Sequence, residues 1–218
     1  SYSQIIANIQ DIYDKFRVPE KFQGHMRVVG DNARLLAQQF NNEKILLKGL
    51  RPNIPMPINT QLLQSAGYVH DLGNILKVTN ENVHKYKGME EDWQSRRNIA
   101  QEFGDSPLEA TLNMQNSLAM NRDIQRLTKY MEPHNFHNIA KLASQTYLEH
   151  VNVLIMAYAD ATASPFGPAS LEVRRDEAKN RLGECKEIDE FYQYLKVIEN
   201  KLKTHIEIPY EFIDIDPN

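Results

Sequence analysis

The stretch AGYVHDLGN, residues 66–74, decides how this chain reads. It closes an apolar run, LLQSAGYV, that starts after Thr60, a plausible helix cap. It then delivers a histidine and an aspartate side by side, and glycine ends the helix at once. Neighbouring side chains on a helix point about 100° apart. His70 and Asp71 therefore do not face each other, but both reach a space lying across the helix end. A carboxylate there has two oxygens, so Asp71 is able to bridge two ions. Imidazole nitrogen with carboxylate oxygen suits manganese, iron, cobalt, nickel or zinc. Taken alone, the dipeptide reads first as a hydrogen-bonded core histidine beside a helix-end cap.

On both sides of this stretch the dominant period is helical. Ile5, Ile6, Ile9, Ile12, Tyr13 and Phe16 form one apolar stripe, which Val18-Pro19 breaks. Val28, Val29, Leu36 and Phe40 mark the buried face of the next helix, with His25 on the same side. Residues 41–60 hold three prolines and a glycine and are expected to be an irregular insertion. After a polar stretch over 78–92, helices are expected over 94–103, from Ser106-Pro107 to about Tyr130, over 138–147 and over 149–163. Ser164-Pro165-Phe166-Gly167-Pro168 is a hard stop, and two more helices follow, the last over about 187–204. The expectation is an all-α fold of about nine helices. It forms one helical bundle over residues 1–204, with an extended tail over 205–218 that is either an edge strand or a segment packed on the body or on a partner.

Composition narrows the function classes. The chain has 218 residues, 41% of them hydrophobic and 25% charged, which suits a folded domain that needs no disulfides. Its lone cysteine, Cys185, cannot form an internal bridge, so a reducing, cytoplasmic setting is expected. The N-terminal residues lack the basic start and apolar core of a secretory signal, and no apolar run approaches a membrane span. A net charge of −4 gives no extended surface for nucleic acid or anionic membranes. There is no phosphate-cradling glycine loop and no GxSxG elbow, and a single cysteine excludes a zinc ribbon.

The order of residues around His70-Asp71 resembles the signature of the HD-domain superfamily of metal-dependent phosphohydrolases. GHMRVVGDNARLLA is similar to the family's first helix, AGYVHDLGN to its His-Asp pair, and VLIMAYADATASPFGPASLEVR to its late helix. The resemblance spans roughly residues 10–180 and implies metal ligation by His25, His70, Asp71 and Asp160. Some members hold a second ion with two further histidines, and His84 and His134 fall in the corresponding stretches, with His137 close enough to substitute. The implied cofactor is one or two divalent ions: Mn, Fe, Co, Ni, Zn or Mg. The implied reaction is hydrolysis of a phosphomonoester or phosphodiester by metal-activated water, with a nucleotide as the substrate class. Many members carry lysine after the glycine. Here Asn74 stands there, and Lys77, one turn on, is the candidate to replace it.

Lys85 and Lys87 flank a candidate ligand and rank first for contact with substrate phosphate, with Arg174 next. Two rival readings share these residues. The same histidine and aspartate order is similar to that of diiron oxygenases such as myo-inositol oxygenase. A non-catalytic module that senses a nucleotide is the other rival, and Asn74 leans that way. The sequence leaves a homo-oligomer open.

Overall fold

The computed structural model describes residues 1–42, 57–144 and 150–215. The chain is all-α: these residues form eleven α-helices and no strand. In chain order the helices are α1 (Tyr2–Ala7), α2 (Ile9–Lys15), α3 (Glu20–Asn42), α4 (Thr60–Val69), α5 (Trp93–Gln101) and α6 (Pro107–Ser117). There follow α7 (Arg122–Tyr130), α8 (Phe136–Ala143), α9 (Val151–Ala161), α10 (Leu171–Leu182) and α11 (Lys186–Lys203). Short 3-10 turns occur at Asn74–Lys77, Val83–Lys85 and Pro133–Asn135. None of the described helices is long and apolar enough to cross a membrane.

The apolar pattern of α9 sets its place. Nine of its eleven residues are buried, the others being Asn152 and Asp160. A helix apolar on all sides belongs inside, and α9 lies against α3 and α4 on one side and α8 and α11 on the other. Asp160 is thus the single charged side chain of the central helix. Asn32 of α3, itself buried, donates to the carbonyls of Ala159 and Thr162 at 3.2 and 3.3 Å, which ties the end of α9 to α3.

Two close approaches hold α3 in register. Against α4, Gly30 meets Gly67 so tightly that a Cβ on Gly67 would stand 2.5 Å from the Gly30 Cα. Against the turn after α9, a Cβ on Gly24 would stand 2.6 Å from the Pro165 carbonyl oxygen. Only glycine permits backbones this near each other. These contacts flank His25 and lie one turn before His70, so they bring the two histidines to the same place.

The structure differs from the sequence reading in two places. The helix expected from Pro107 to Tyr130 is two helices: Ala119 takes a φ of 52°, and Asn121 caps α7 by accepting from the Asp123 amide at 2.7 Å. The first amphipathic stripe is likewise divided at Asn8 into α1 and α2. Of the two forms expected for the tail, its described residues take the packed segment and form no strand. Ile213 N donates to the Pro168 carbonyl at 2.8 Å and the Tyr210 hydroxyl lies 2.9 Å from Thr162 Oγ1, so the segment packs along the turn after α9. Most of the expected insertion, residues 43–56, lies outside the described residues. Its ends are joined by Asn41, whose amide exchanges two hydrogen bonds with the Ile58 backbone.

Candidate metal centre

Each ligand candidate is oriented by the end of its own helix. His70 caps the C-terminus of α4, and its Nδ1 donates to the Gly67 carbonyl at 2.7 Å. His25, in the second turn of α3, donates from Nδ1 to the Ala163 carbonyl at 3.0 Å. A carbonyl only accepts, so Nδ1 carries the proton on both rings and Nε2 is left facing inward. Such an outer hydrogen bond is what fixes a metal-ligating histidine in its tautomer and orientation.

The inward atoms converge. Ligand atoms of His25, His70 and Asp160 all lie within 4.8 Å of one another. His25 Nε2 is 2.9 Å and His70 Nε2 3.5 Å from Asp160 Oδ1, while Asp71 Oδ2 stands 3.1 Å from His70 Nε2. His70 is 5% exposed, and its Nε2 is buried with no hydrogen-bond partner of adequate geometry. A buried polar atom left over in this way costs free energy unless something fills the position. Two imidazoles with inward-facing Nε2 atoms, that of His70 unpartnered and that of His25 against Asp160, and adjacent carboxylates are the donor set of a divalent transition metal, so the residues fit the ion the sequence reading calls for.

Electrostatics favour charge separation here. Burial opposes charge on His70, but Asp71 and Asp160 beside it outweigh burial and raise its pKa well above the ordinary histidine value. Burial pushes the two carboxyls up, yet His70 prevails in both: Asp71 is held down to about 2, and Asp160 well below the usual range. Both shifts favour the anionic carboxylates, the form that a cation takes.

His70 is buried beside His25, Asp71 and Asp160, which line a cavity of about 640 Å³. Asn74 and Lys77, on the 3-10 turn after Asp71, line it together with Arg174 of α10. Asn74 donates to Asp71 Oδ2 at 3.3 Å, and the charge of Lys77 helps keep Asp71 ionised. Lys85 and Lys87 instead line a neighbouring pocket with His84. His84 and His134 are both exposed, on 3-10 turns, and neither belongs to the group formed by His25, His70 and Asp160. His137 is exposed and lies against the Tyr194 ring. Among the remaining basic residues, Arg96 pairs with Asp92 and Arg97 donates to the Val78 carbonyl, so both serve the fold.

Three residues near the site escaped the sequence reading. Lys21 and Arg181 line the cavity. Their signal was available: Lys21 precedes His25 by four residues and Arg181 follows Arg174 by seven, so each shares a helix face with a residue already singled out. Glu132 is the third. Burial raises its pKa, Lys77 opposes that rise and Asp71 adds to it, so its carboxyl belongs to the Asp71 side of the site. No sequence spacing signals it, because it sits in the break between α7 and the turn at Pro133.

The class of protein these features define is an all-α chain with a histidine and carboxylate cluster beside a cavity. No family model matches the chain, and no curated protein or solved structure matches it.

Proposed function

We propose that this chain is a metal-dependent phosphohydrolase of the HD-domain kind, acting on a phosphomonoester or phosphodiester, with nucleotides as the first class to test. The observation that carries the reading is the unpartnered His70 Nε2, aimed at the same point as His25 Nε2 and Asp160, below a cavity that also holds cationic side chains. His25, His70, Asp71 and Asp160 are the residues that would hold a divalent ion. Such an ion supplies Lewis acidity, which makes a coordinated water more acidic and offsets charge on a phosphoryl oxygen.

The chain's own residues supply the rest. Asp71, ionised throughout the neutral range, accepts hydrogen bonds and orients a water rather than storing its proton. Lys77 and Arg174 give the cavity wall positive charge where a phosphate would lose its hydration. Asn74 fixes Asp71 and leaves the cationic part to Lys77.

The diiron oxygenase reading needs ligands for two ions. Among the described residues one group of three comes together, which favours the hydrolase. The test is elemental analysis of the purified chain, followed by a phosphoester and nucleotide panel with Mn, Co or Mg. Bound divalent metal, with hydrolysis that is lost in His70→Ala and Asp71→Ala, is expected. No hydrolysis by the wild-type chain across that panel would overturn the reading. Two irons with a mixed-valent signal would replace it with the oxygenase.

A further inference from the structure

The metal cavity shares a wall with a second pocket. Lys21, Glu177 and Arg181 line both, and the second, about 450 Å³, is completed by His84, Lys85, Lys87 and Asn180. Three lysines, an arginine and a histidine thus surround a space that holds one carboxylate. That carboxylate is already engaged, since Glu177 pairs with Arg174 at 2.6 Å. Among the described residues no acidic side chain forms an ion pair with Lys85 or Lys87. Lys21 Nζ donates to the Lys87 carbonyl at 2.9 Å, which fastens the 84–87 turn to α3. Arg181 lies over the Tyr86 ring, 5.7 Å from its centroid, with Nε buried and unpartnered. So much like charge in one place is unfavourable without an anion, in a chain whose net charge is −4. Lys21 registers it: burial lowers its pKa, Glu177 opposes this, and Arg181, Arg174 and Lys87 lower it further.

We infer that this second pocket is an anion-binding subsite that takes a second phosphate-like group of the ligand whose first phosphate is held at the metal end. The ligand class is a small molecule with two separated phosphates, or an oligophosphate. Its middle crosses the shared wall beside Phe22, Tyr86 and Tyr192, an aromatic surface suited to a planar or apolar moiety. Which end reacts rests on the proposed hydrolase reading, while the anion subsite stands on the basic pocket alone. Arginine stacked on an aromatic ring keeps its donor edge free, and lysines on a short exposed turn add unpaired charge.

The whole metal-free chain, titrated calorimetrically with inorganic tripolyphosphate at low salt, tests the subsite. Wild type and His70→Ala are expected to bind alike, and Lys85→Glu/Lys87→Glu about tenfold more weakly or worse. Both lysines are exposed, so that variant keeps its fold, which circular dichroism verifies. No binding by the wild type, or binding that survives the double substitution, overturns the subsite. The bridging role is read from kinetics. The double variant should raise KM about tenfold for an organic bisphosphate, and less than about twofold for a monophosphate ester. Equal effects on both esters overturn it. Failure of the hydrolase reading looks different, because tripolyphosphate binding would persist with no turnover of any ester.

Discussion

The two ends of the cavity are built in opposite ways. At the proposed metal end, His25, His70 and Asp160 sit on helices or at a helix end, and both histidines are held by a hydrogen bond to a backbone carbonyl. At the basic end, Lys85 and Lys87 stand exposed on a 3-10 turn and the turn that follows it, with charge but no ion-pair partner among the described residues. The first end has both rings oriented by outer hydrogen bonds, which is what directional ligation would require. The second end needs only potential, which long side chains supply from a surface without fixed geometry. The lesson is that loss of one residue should be severe and all-or-none at the metal end, and graded and salt-sensitive at the basic end.

The sharpest way to break that comparison is His70→Ala. It removes the unpartnered Nε2 and leaves Asp71 and Asp160 without the cation that neutralises them. Bound metal should vanish from elemental analysis, and hydrolysis should fall on the order of 10³-fold or more. A variant that keeps its metal would show that the centre is no more rigidly specified than the lysine turn.

Next in size is a change that touches neither end. Gly67→Ala puts a Cβ where the Gly30 backbone stands, 2.5 Å away, and backbone cannot rotate aside as a side chain can. The helices must separate, at a cost of about 1–3 kcal/mol, or roughly 3–10 °C in Tm for a chain of this size. Because the same crossing positions His25 against His70, metal affinity should fall with it. Thermal unfolding with and without Mn checks both. An unchanged Tm would mean that α3 and α4 are not locked here.

The pH dependence of the metal-free chain sharpens the comparison further. The folded pKa of His70 is raised, so its contribution to stability is full below its unfolded value of about 6.5 and is lost as pH rises toward the folded value. Asp71 and Asp160 run the other way. Their contribution is present above about 4 and is lost as pH falls through the folded values, about 2 for Asp71. The Tm of the metal-free chain should therefore fall by a few degrees between pH 6 and 9, while that of the metal-loaded chain should not. Equal slopes for the two forms would separate His70 from the metal.

How much of this was legible in the sequence follows from the same contrast. The convergence of His25, His70 and Asp160 could be read because these residues sit on helices with a clear apolar signal, in AGYVHDLGN and VLIMAYADA, and helix geometry then limits where side chains point. The outer hydrogen bonds to Gly67 and Ala163 could not be read, because helix ends alone do not reveal which carbonyl lies near. The break at Ala119 was hidden for a local reason: Leu118, Ala119 and Met120 are all good helix formers, and only Asn121 signals a new cap. Buried Gln115 rewards that break, donating across it to Thr128 and also to the Val69 carbonyl beside His70. The basic pocket was legible residue by residue, in Lys85 and Lys87, but its assembly was not. Lys21 and Arg181 come to it from opposite ends of the chain.

The smallest expected effect lies with the two histidines outside the central group. If the centre holds one ion, His84→Ala and His134→Ala should leave one metal per chain. His134 acts on the site only through space, as one of the charges that bear on Glu132. An exposed histidine at that remove, without a carbonyl to fix its ring, is a poor ligand, because ordering it costs entropy that a preset ring does not lose. Activity of His134→Ala should therefore stay within about twofold of wild type, since an exposed charge is well screened. His84→Ala should weaken binding of the bisphosphate before it alters turnover, since His84 lines the basic pocket. Elemental analysis decides the matter by count. Two ions in the wild-type chain and one in His134→Ala would extend the rigid end of the cavity toward Glu132, and the contrast between the two ends would lie further along the wall than Lys77.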